Sequence, residues 1–306
     1  MMRRMMQLLI VMVLSSSMQT QESVHQQLER EQKQKGLTLS LFYSGEIKTV
    51  DFPGRSFDLR QVKVNTNGRV GAGVVSRDGE EVAFDLSFYP PLRAYLGVAH
   101  SDGSELREYP DILSPHDFCW SNDKSKLALN AAVRRQVHGE LVIVDLDSKA
   151  TQELEAGAGV TSQCWSPDDK QVVYGVGGSI RIYDLGERKS RELARGENPT
   201  WSPDGNWIAF YRDGTYYAIR PSGADQKLLF EQKDVRTGLW WSPDGDIVAY
   251  ICLGGKYDPH RDFDFAPRQL RVRRLADNSD DWILTEPDVG YVPNYQWVLP
   301  AEPKAH

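Results

Sequence analysis

Cysteine is scarce in this chain. Cys119, Cys164 and Cys252 are the whole complement of its 306 residues, an odd number that cannot all pair within one molecule. No paired Cys/His spacing suits zinc, so no metal centre is expected. Cys119 and Cys164 each stand directly before a tryptophan. A disulfide between them would need Cα atoms within about 7 Å, and the simpler reading of all three is as small buried hydrophobes.

Basic charge is also in short supply. Lys and Arg total 36 against 43 Asp and Glu, a net charge of −7. That balance argues against nucleic acid, whose phosphates call for a basic surface. Long apolar runs are missing: Leu8 to Leu14 is unbroken but far too short to span a bilayer. Catalytic signatures are missing as well. Gly177-Gly178-Ser179-Ile180-Arg181 comes nearest to a nucleophile elbow and lacks its last glycine. There is no phosphate-binding loop, no His-Glu-x-x-His and no complete calcium loop. No cofactor is expected.

What remains at the N-terminus reads as an export signal over residues 1–17, with Arg3 and Arg4 before the apolar run and Ser15-Ser16-Ser17 after it. Uncleaved, it would be a short anchor; no cysteine lies nearby to carry a lipid. Residues 18–36 are polar and Gln-rich and read as a linker. The expected location is therefore exported, periplasmic or secreted.

The dominant positive feature is a repeat. Val75-Ser76-Arg77-Asp78-Gly79, Trp120-Ser121-Asn122-Asp123, Trp165-Ser166-Pro167-Asp168-Asp169, Trp201-Ser202-Pro203-Asp204-Gly205 and Trp241-Ser242-Pro243-Asp244-Gly245 place successive serines 45, 45, 36 and 40 residues apart. Each string sets up a tight turn, and an alternating strand follows, as in Asn206 to Phe210 or Asp246 to Tyr250. Two more strands complete each unit, the last carrying Leu154, Leu193, Leu228 or Leu284. Four antiparallel strands per unit of about 40–45 residues predict propeller blades. A single such sheet cannot cover both its faces, so the units must stack.

A sixth blade can be assembled from the two ends of the chain. Tyr295-Gln296-Trp297 opens it, and Thr38 to Tyr43, Ile47 to Phe52 and Phe57 to Val64 complete it. The expectation is an all-β, six-bladed β-propeller over residues 37–299, closed by pairing of its N- and C-terminal strands, with 300–306 as a tail. Closure would leave no free sheet edge in the ring. The repeat aspartates Asp78, Asp123, Asp168, Asp204 and Asp244 are read as caps on backbone amides in the turns, not as metal ligands.

These strings resemble the Trp-Ser-Pro-Asp-Gly propeller repeats of the TolB family, over about residues 37 to 299. The copies at Trp165, Trp201 and Trp241 lie closest to that pattern; Asn122 replaces Pro in one copy, and Val75 replaces Trp in another. WD-type repeats share the period but have Gly-His and Trp-Asp marks that this chain lacks. The resemblance implies the fold. Relatives include binding platforms, and similar propellers accompany some serine peptidases. TolB proteins carry an additional smaller α/β domain for which this chain has no room.

Function is sought where the repeats differ. The loops after the second strand are short at Gly175 to Gly178 and at Arg212 to Gly214. They are longer over Asp85 to Ala94, with Phe88, Tyr89 and Arg93, and over Asn130 to Gly139, with Arg134, Arg135 and His138. The longest, Leu253 to Pro267, carries Tyr257, His260, Arg261, Asp262, Phe263 and Asp264. In a six-bladed ring these loops gather on one side of one face, where aromatic and Arg side chains suit recognition. The expected function is a monomeric, non-enzymatic scaffold for a protein or peptide. The alternatives are a hydrolase or lyase using His116, Asp117, His260 and Asp262 at the channel mouth, and a propeller that regulates a separate enzyme.

Overall fold

A computed structural model describes residues 38–51, 58–90, 93–133, 140–156, 159–233, 237–253, 268–276, 280–286 and 295–298. The expected signal, linker and tail lie outside the described residues, and every regular element among the described residues is a β-strand.

The Trp-Ser-Pro-Asp repeats open three separate four-stranded antiparallel sheets. The first holds β11 (Val160–Trp165), β12 (Gln171–Val176), β13 (Ser179–Asp184) and β14 (Lys189–Arg195). The second holds β15 (Glu197–Trp201), β16 (Ile208–Arg212), β17 (Thr215–Ile219) and β18 (Lys227–Glu231). The third holds β19 (Trp240–Trp241), β20 (Ile247–Leu253), β21 (Arg268–Arg274) and β22 (Asp280–Glu286). Each has the strand order of its sequence, as successive hairpins dictate.

The remaining strands join edge to edge. They are β1 (Thr38–Tyr43), β2 (Glu46–Asp51), β3 (Asp58–Gln61), β4 (Arg69–Val75), β5 (Glu81–Phe88), β6 (Arg93–His100), β7 (Arg107–Trp120), β8 (Lys126–Val133), β9 (Glu140–Asp145), β10 (Thr151–Ala156) and β23 (Tyr295–Val298). β7 explains the fusion. Its first half pairs with β6, at Val98↔Arg107 for example, and its second half pairs with β8, ending at Trp120↔Leu127. One 14-residue strand is thus the outer strand of one unit and the inner strand of the next. β1 pairs with β4 at Phe42↔Gly73 and Tyr43↔Ala72, and with β23 from Thr38↔Val298 to Leu41↔Tyr295.

The repeat serines and aspartates build the turns. Each serine hydroxyl donates to the aspartate two residues on, at 2.6–2.7 Å in all five copies. The same serine oxygen accepts the backbone N–H five residues on, at 2.9–3.1 Å. The aspartate accepts the N–H two residues on, at 2.9–3.3 Å. The serines are buried, so these bonds satisfy groups that water cannot reach.

The tryptophans join neighbouring units. Trp120 Nε1 donates to the Val74 carbonyl at 3.3 Å, Trp165 Nε1 to Cys119 at 3.2 Å and Trp297 Nε1 to Trp240 at 2.9 Å. Between sheets the core divides into clusters, each fed by two consecutive units. Val173, Ile180 and Ile182 meet Trp201, Ile208 and Phe210 in one. Leu39, Leu41 and Trp297 meet Ile247, Ala249 and Ile251 in another, so the last repeat packs on the first strand. Full burial of one such aliphatic or Phe side chain contributes about 1.5–3 kcal/mol. Close approach limits the next junction: a Cβ on Gly73 would sit 2.1 Å from the Ala83 carbonyl oxygen and 2.8 Å from the Phe42 ring.

Candidate functional site

Antiparallel strands put the Ser-Asp turns at one end of the sheets and the loops after each second strand at the other. Where those loops are short they are two-residue hairpins in the left-handed region, Gly177-Gly178 (φ 56° and 76°) and Asp213-Gly214 (φ 50° and 83°), the type I′ geometry that suits the twist of a hairpin. Elsewhere the strands are separated by residues 89–92, 134–139 and 254–267. The segment expected as a loop over Asp85 to Ala94 is mostly strand: β5 runs on to Phe88 and pairs with Arg93. The reason is alternation, since Leu86 is fully buried in the core while Ser87 turns away from it.

The tip of that hairpin presents the clearest recognition geometry. Phe88 stacks on Tyr95 with ring centroids 5.2 Å apart and 22° between the planes. Tyr95 in turn donates its hydroxyl to Glu108 at 2.9 Å; burial and that carboxylate push its pKa up to about 12. Next to this fixed pair Tyr89 is 87% exposed, and Arg93 is exposed as well. Arg134, Arg135 and His138, and likewise Tyr257, His260, Arg261, Asp262, Phe263 and Asp264, lie outside the described residues.

His116 and Asp117 are adjacent but not organised for proton transfer. Their side chains approach only to 4.0 Å, with His116 exposed and Asp117 half-buried. His116 Nδ1 lies 3.1 Å from the Ser114 carbonyl oxygen, and Asp117 accepts the Asn130 amide at 3.2 Å. Asp117 has φ 51°, in a bulge of β7, and Ser162 (φ 48°) and Asn198 (φ 53°) occupy the same place, three residues before the tryptophan, on β11 and β15. Residues with short polar side chains tolerate this left-handed region best.

These three residues stand at one end of a cavity of about 550 Å³ whose walls come from β4, β7, β11, β15, β19 and β23. Arg77, Asn122, Pro167, Pro203 and Pro243 of the turns line its other end. Midway, the residue preceding each tryptophan faces inward: Cys119, Cys164, Thr200, Trp240 and Gln296, with Val74 at the matching place on β4. Ser162 donates to Asn198 at 2.7 Å across neighbouring strands. Gln163 Oε1 is buried without a hydrogen-bond partner. Cys119 and Cys164 are half-buried where this wall meets the apolar clusters between sheets, whereas Cys252 is buried. The spacing of one residue before each repeat tryptophan was the signal for this ring.

With innermost strands of successive units surrounding one cavity, the arrangement has known counterparts. The chain aligns with TolB from Acinetobacter baumannii at a TM-score of 0.64, with 16% identity, over 86% of this chain and 66% of that one. It has the fold of a TolB-like, WD-repeat-like β-propeller. The WD domain, G-beta repeat model matches residues 148–184, where Tyr183-Asp184 ends β13. A chain of a nidogen/laminin complex aligns at 0.63, with 10% identity, over 86% of this chain and 99% of that one. An oligogalacturonate lyase in complex with manganese aligns at 0.56, with 14% identity, over 81% of this chain and 72% of that one. The TolB-like propeller spans somewhat less than two thirds of the Acinetobacter protein's length. Among its described residues no group of three or more His, Cys, Asp or Glu could hold a metal ion, and no helix is long and apolar enough to cross a membrane.

Proposed function

We propose that this protein is an exported, non-enzymatic propeller of six blades over residues 37–299 that binds a protein or peptide on its loop face. The count of six is supported by the cavity walls, which draw on six innermost strands, and by the packing of β23 and β1 onto β20 and β21. Export is supported by the apolar segment with its leading arginines in residues 1–17.

The observation that carries the binding reading is the β5–β6 tip. Tyr89 is exposed next to the Phe88–Tyr95 stack, so the hairpin that carries it is anchored while its ring is free to meet a partner. β8 and β20 end, and β9 and β21 begin, at the same end of the sheets as this tip, and a rigid scaffold with variable loops is the usual way to position recognition. Occurrence of this fold in a nidogen/laminin complex agrees with such a use. The decisive experiment replaces residues 254–267 by a short Gly-Ser turn and compares capture from an envelope extract. Loss of the captured partner at unchanged melting temperature is expected; capture by the replaced variant would sink the reading.

A second reading, a hydrolase or lyase at the cavity mouth, draws on the proximity of His116 and Asp117 and on the likeness to oligogalacturonate lyase. The residues that would complete it, His260 and Asp262, are proposed from sequence alone. Turnover of an oligogalacturonide by the purified chain, lost in His116→Ala, would favour this reading over the first.

A further inference from the structure

The cavity enclosed by the innermost strands carries two opposite charges, one at each end. Among the described residues Asp117 and Arg77 are the only charged side chains on its wall. Both depart from their repeat. Ser162, Asn198 and Gly238 stand where Asp117 does, three residues before the tryptophan, and Asn122, Pro167, Pro203 and Pro243 stand where Arg77 does. The neutral copies form the same bulge and the same Ser-Asp turn, so neither charge is needed to build the blade.

The fold leaves both charges open to a counter-ion. Asp117 accepts the Asn130 amide through Oδ2 at 3.2 Å, His116 comes no nearer than 4.0 Å, and Oδ1 has no hydrogen-bond partner among the described residues. Arg77 donates Nη1 to Asn122 Oδ1 at 3.1 Å and makes no ion pair among the described residues. The carboxylates closest to it in sequence, Asp78 and Glu80, are both held by Lys124. Asp169 is taken up by the N–H groups of Asn122 and Asp123. Asp117 and Arg77 are also too far apart to pair with each other. Asp117 and Asn122, the partner of Arg77, lie five positions apart on the chain, a rise of roughly 15 Å at about 3.3 Å per extended residue.

Between the two ends the wall is neutral but not wholly apolar. Asn198 accepts the Ser162 hydroxyl through Oδ1, and its NH2 group has no partner among the described residues. Gln296 donates its NH2 group to the Trp297 carbonyl at 3.0 Å, which leaves its Oε1 to accept. The cavity, at about 550 Å³, falls within the size range of small-molecule sites. We propose that it binds a short linear zwitterion lengthwise, with the ammonium on Asp117 and the carboxylate on the Arg77 guanidinium, whose planar fork suits a carboxylate. With about 3 Å for the charged contact at each end, the two ligand charges stand roughly 9–10 Å apart, the reach of a free tripeptide at about 3.4 Å per residue. An ω-amino acid of the same length has the same chemistry. Tyr89 and Arg93 do not line the cavity, so this site is separate from the loop-face surface and does not depend on it.

The test is calorimetric titration of the full chain with triglycine and with 8-aminooctanoic acid, each also in its N-acetyl and C-amide forms, and with glycine. Triglycine, 8-aminooctanoic acid or both should bind. Blocking either end should weaken binding at least tenfold, the loss expected for one charged contact, and glycine, too short to reach both ends, should lose at least as much. Asp117→Asn should weaken the free ligand at least tenfold and leave its N-acetyl form unchanged. Arg77→Gln, which keeps a donor for Asn122, should behave in the same way towards the C-amide form. Should either variant fail to fold, the blocked ligands on the unaltered chain supply the same answer. Tighter binding of triglycine would support the zwitterion with Asn198 and Gln296 reading its amides; equal or tighter binding of 8-aminooctanoic acid would support it with the two charges acting alone. Failure of both ligands to bind would overturn the proposal, as would binding that survives the loss of either end.

Discussion

Asn122 and Asp169, the residues at which two neighbouring turns depart from the repeat, are bonded to each other. Asn122 donates to Asp169 Oδ1 through both its side-chain amide and its backbone N–H, each at 2.8 Å, and Asp123 N–H reaches Asp169 Oδ2 at 3.0 Å. In the regular copies the same two positions hold Pro and Gly. There the glycine lies against the preceding turn's proline: a Cβ on Gly205 would meet Pro167 at 3.7 Å, and one on Gly245 would meet Pro203 at 3.8 Å. An apolar Pro–Gly contact has thus been replaced as a unit by a polar Asn–Asp contact. Arg77 continues the chain by donating to Asn122 Oδ1 at 3.1 Å.

A double-mutant cycle should expose this coupling. Asn122→Pro and Asp169→Gly each remove one side of the contact and should cost about 1–2 kcal/mol. The double substitution rebuilds the regular pairing and should cost clearly less than the sum, by about 1 kcal/mol or more. Strict additivity in denaturant titrations would show that the two departures are unrelated.

The tryptophan staples predict an unequal pair of substitutions. Trp165→Phe removes a donor to the Cys119 carbonyl, whereas Trp201 Nε1 is buried without a hydrogen-bond partner. Both changes lose similar apolar area, so their difference isolates the bond. Trp165→Phe should therefore be the more destabilising by about 1–2 kcal/mol, read from urea midpoints at constant slope.

Gly73 marks the tight junction between β1 and the β4–β5 hairpin. Gly73→Ala places a methyl group against the Ala83 carbonyl and the Phe42 ring. Overpacking of this kind costs about 1–3 kcal/mol. A melting temperature equal to that of the parent would mean that the chain ends are not held as described.

Acid should weaken the turns. For Asp168 the Ser166 hydroxyl outweighs burial and holds the pKa down. For Asp78, Asp123 and Asp204 burial pushes upward, but hydrogen bonds to the carboxylates more than offset it. Carboxyls with a depressed folded pKa stabilise the fold fully above the unfolded value, near 4, and lose that contribution as pH falls through the folded value. Thermal stability should thus be level from pH 7 to about 5 and drop below about 4. Replacing Asp168 with Asn should flatten part of the drop.

Much of this fold was legible in the sequence because its turns use local chemistry. Ser, Asp and the left-handed residue after them lie within five positions of each other, so a short string specifies each turn. The pairing of β1 with β23 was also readable, from the strand patterns of Thr38 to Tyr43 and Tyr295 to Trp297. The sharing of β7 between two units was not, since nothing local marks where a 14-residue strand changes partners. At the candidate face, Tyr89 and Arg93 were named from composition and loop length, while their support, the stack of Phe88 on Tyr95, needed the register of β5 against β6.

The central claim is that the regular turns build the scaffold and the irregular loop face recognises a partner. Its most direct measurement compares capture from an envelope extract by three forms of the chain: unaltered, Tyr89→Ala with Arg93→Ala on the loop face, and Lys170→Ala in the exposed turn at the opposite end. The account predicts that the loop-face pair loses at least tenfold in captured partner at an unchanged melting temperature, while Lys170→Ala captures as the parent does. Equal capture by the loop-face pair, or loss confined to Lys170→Ala, would contradict it.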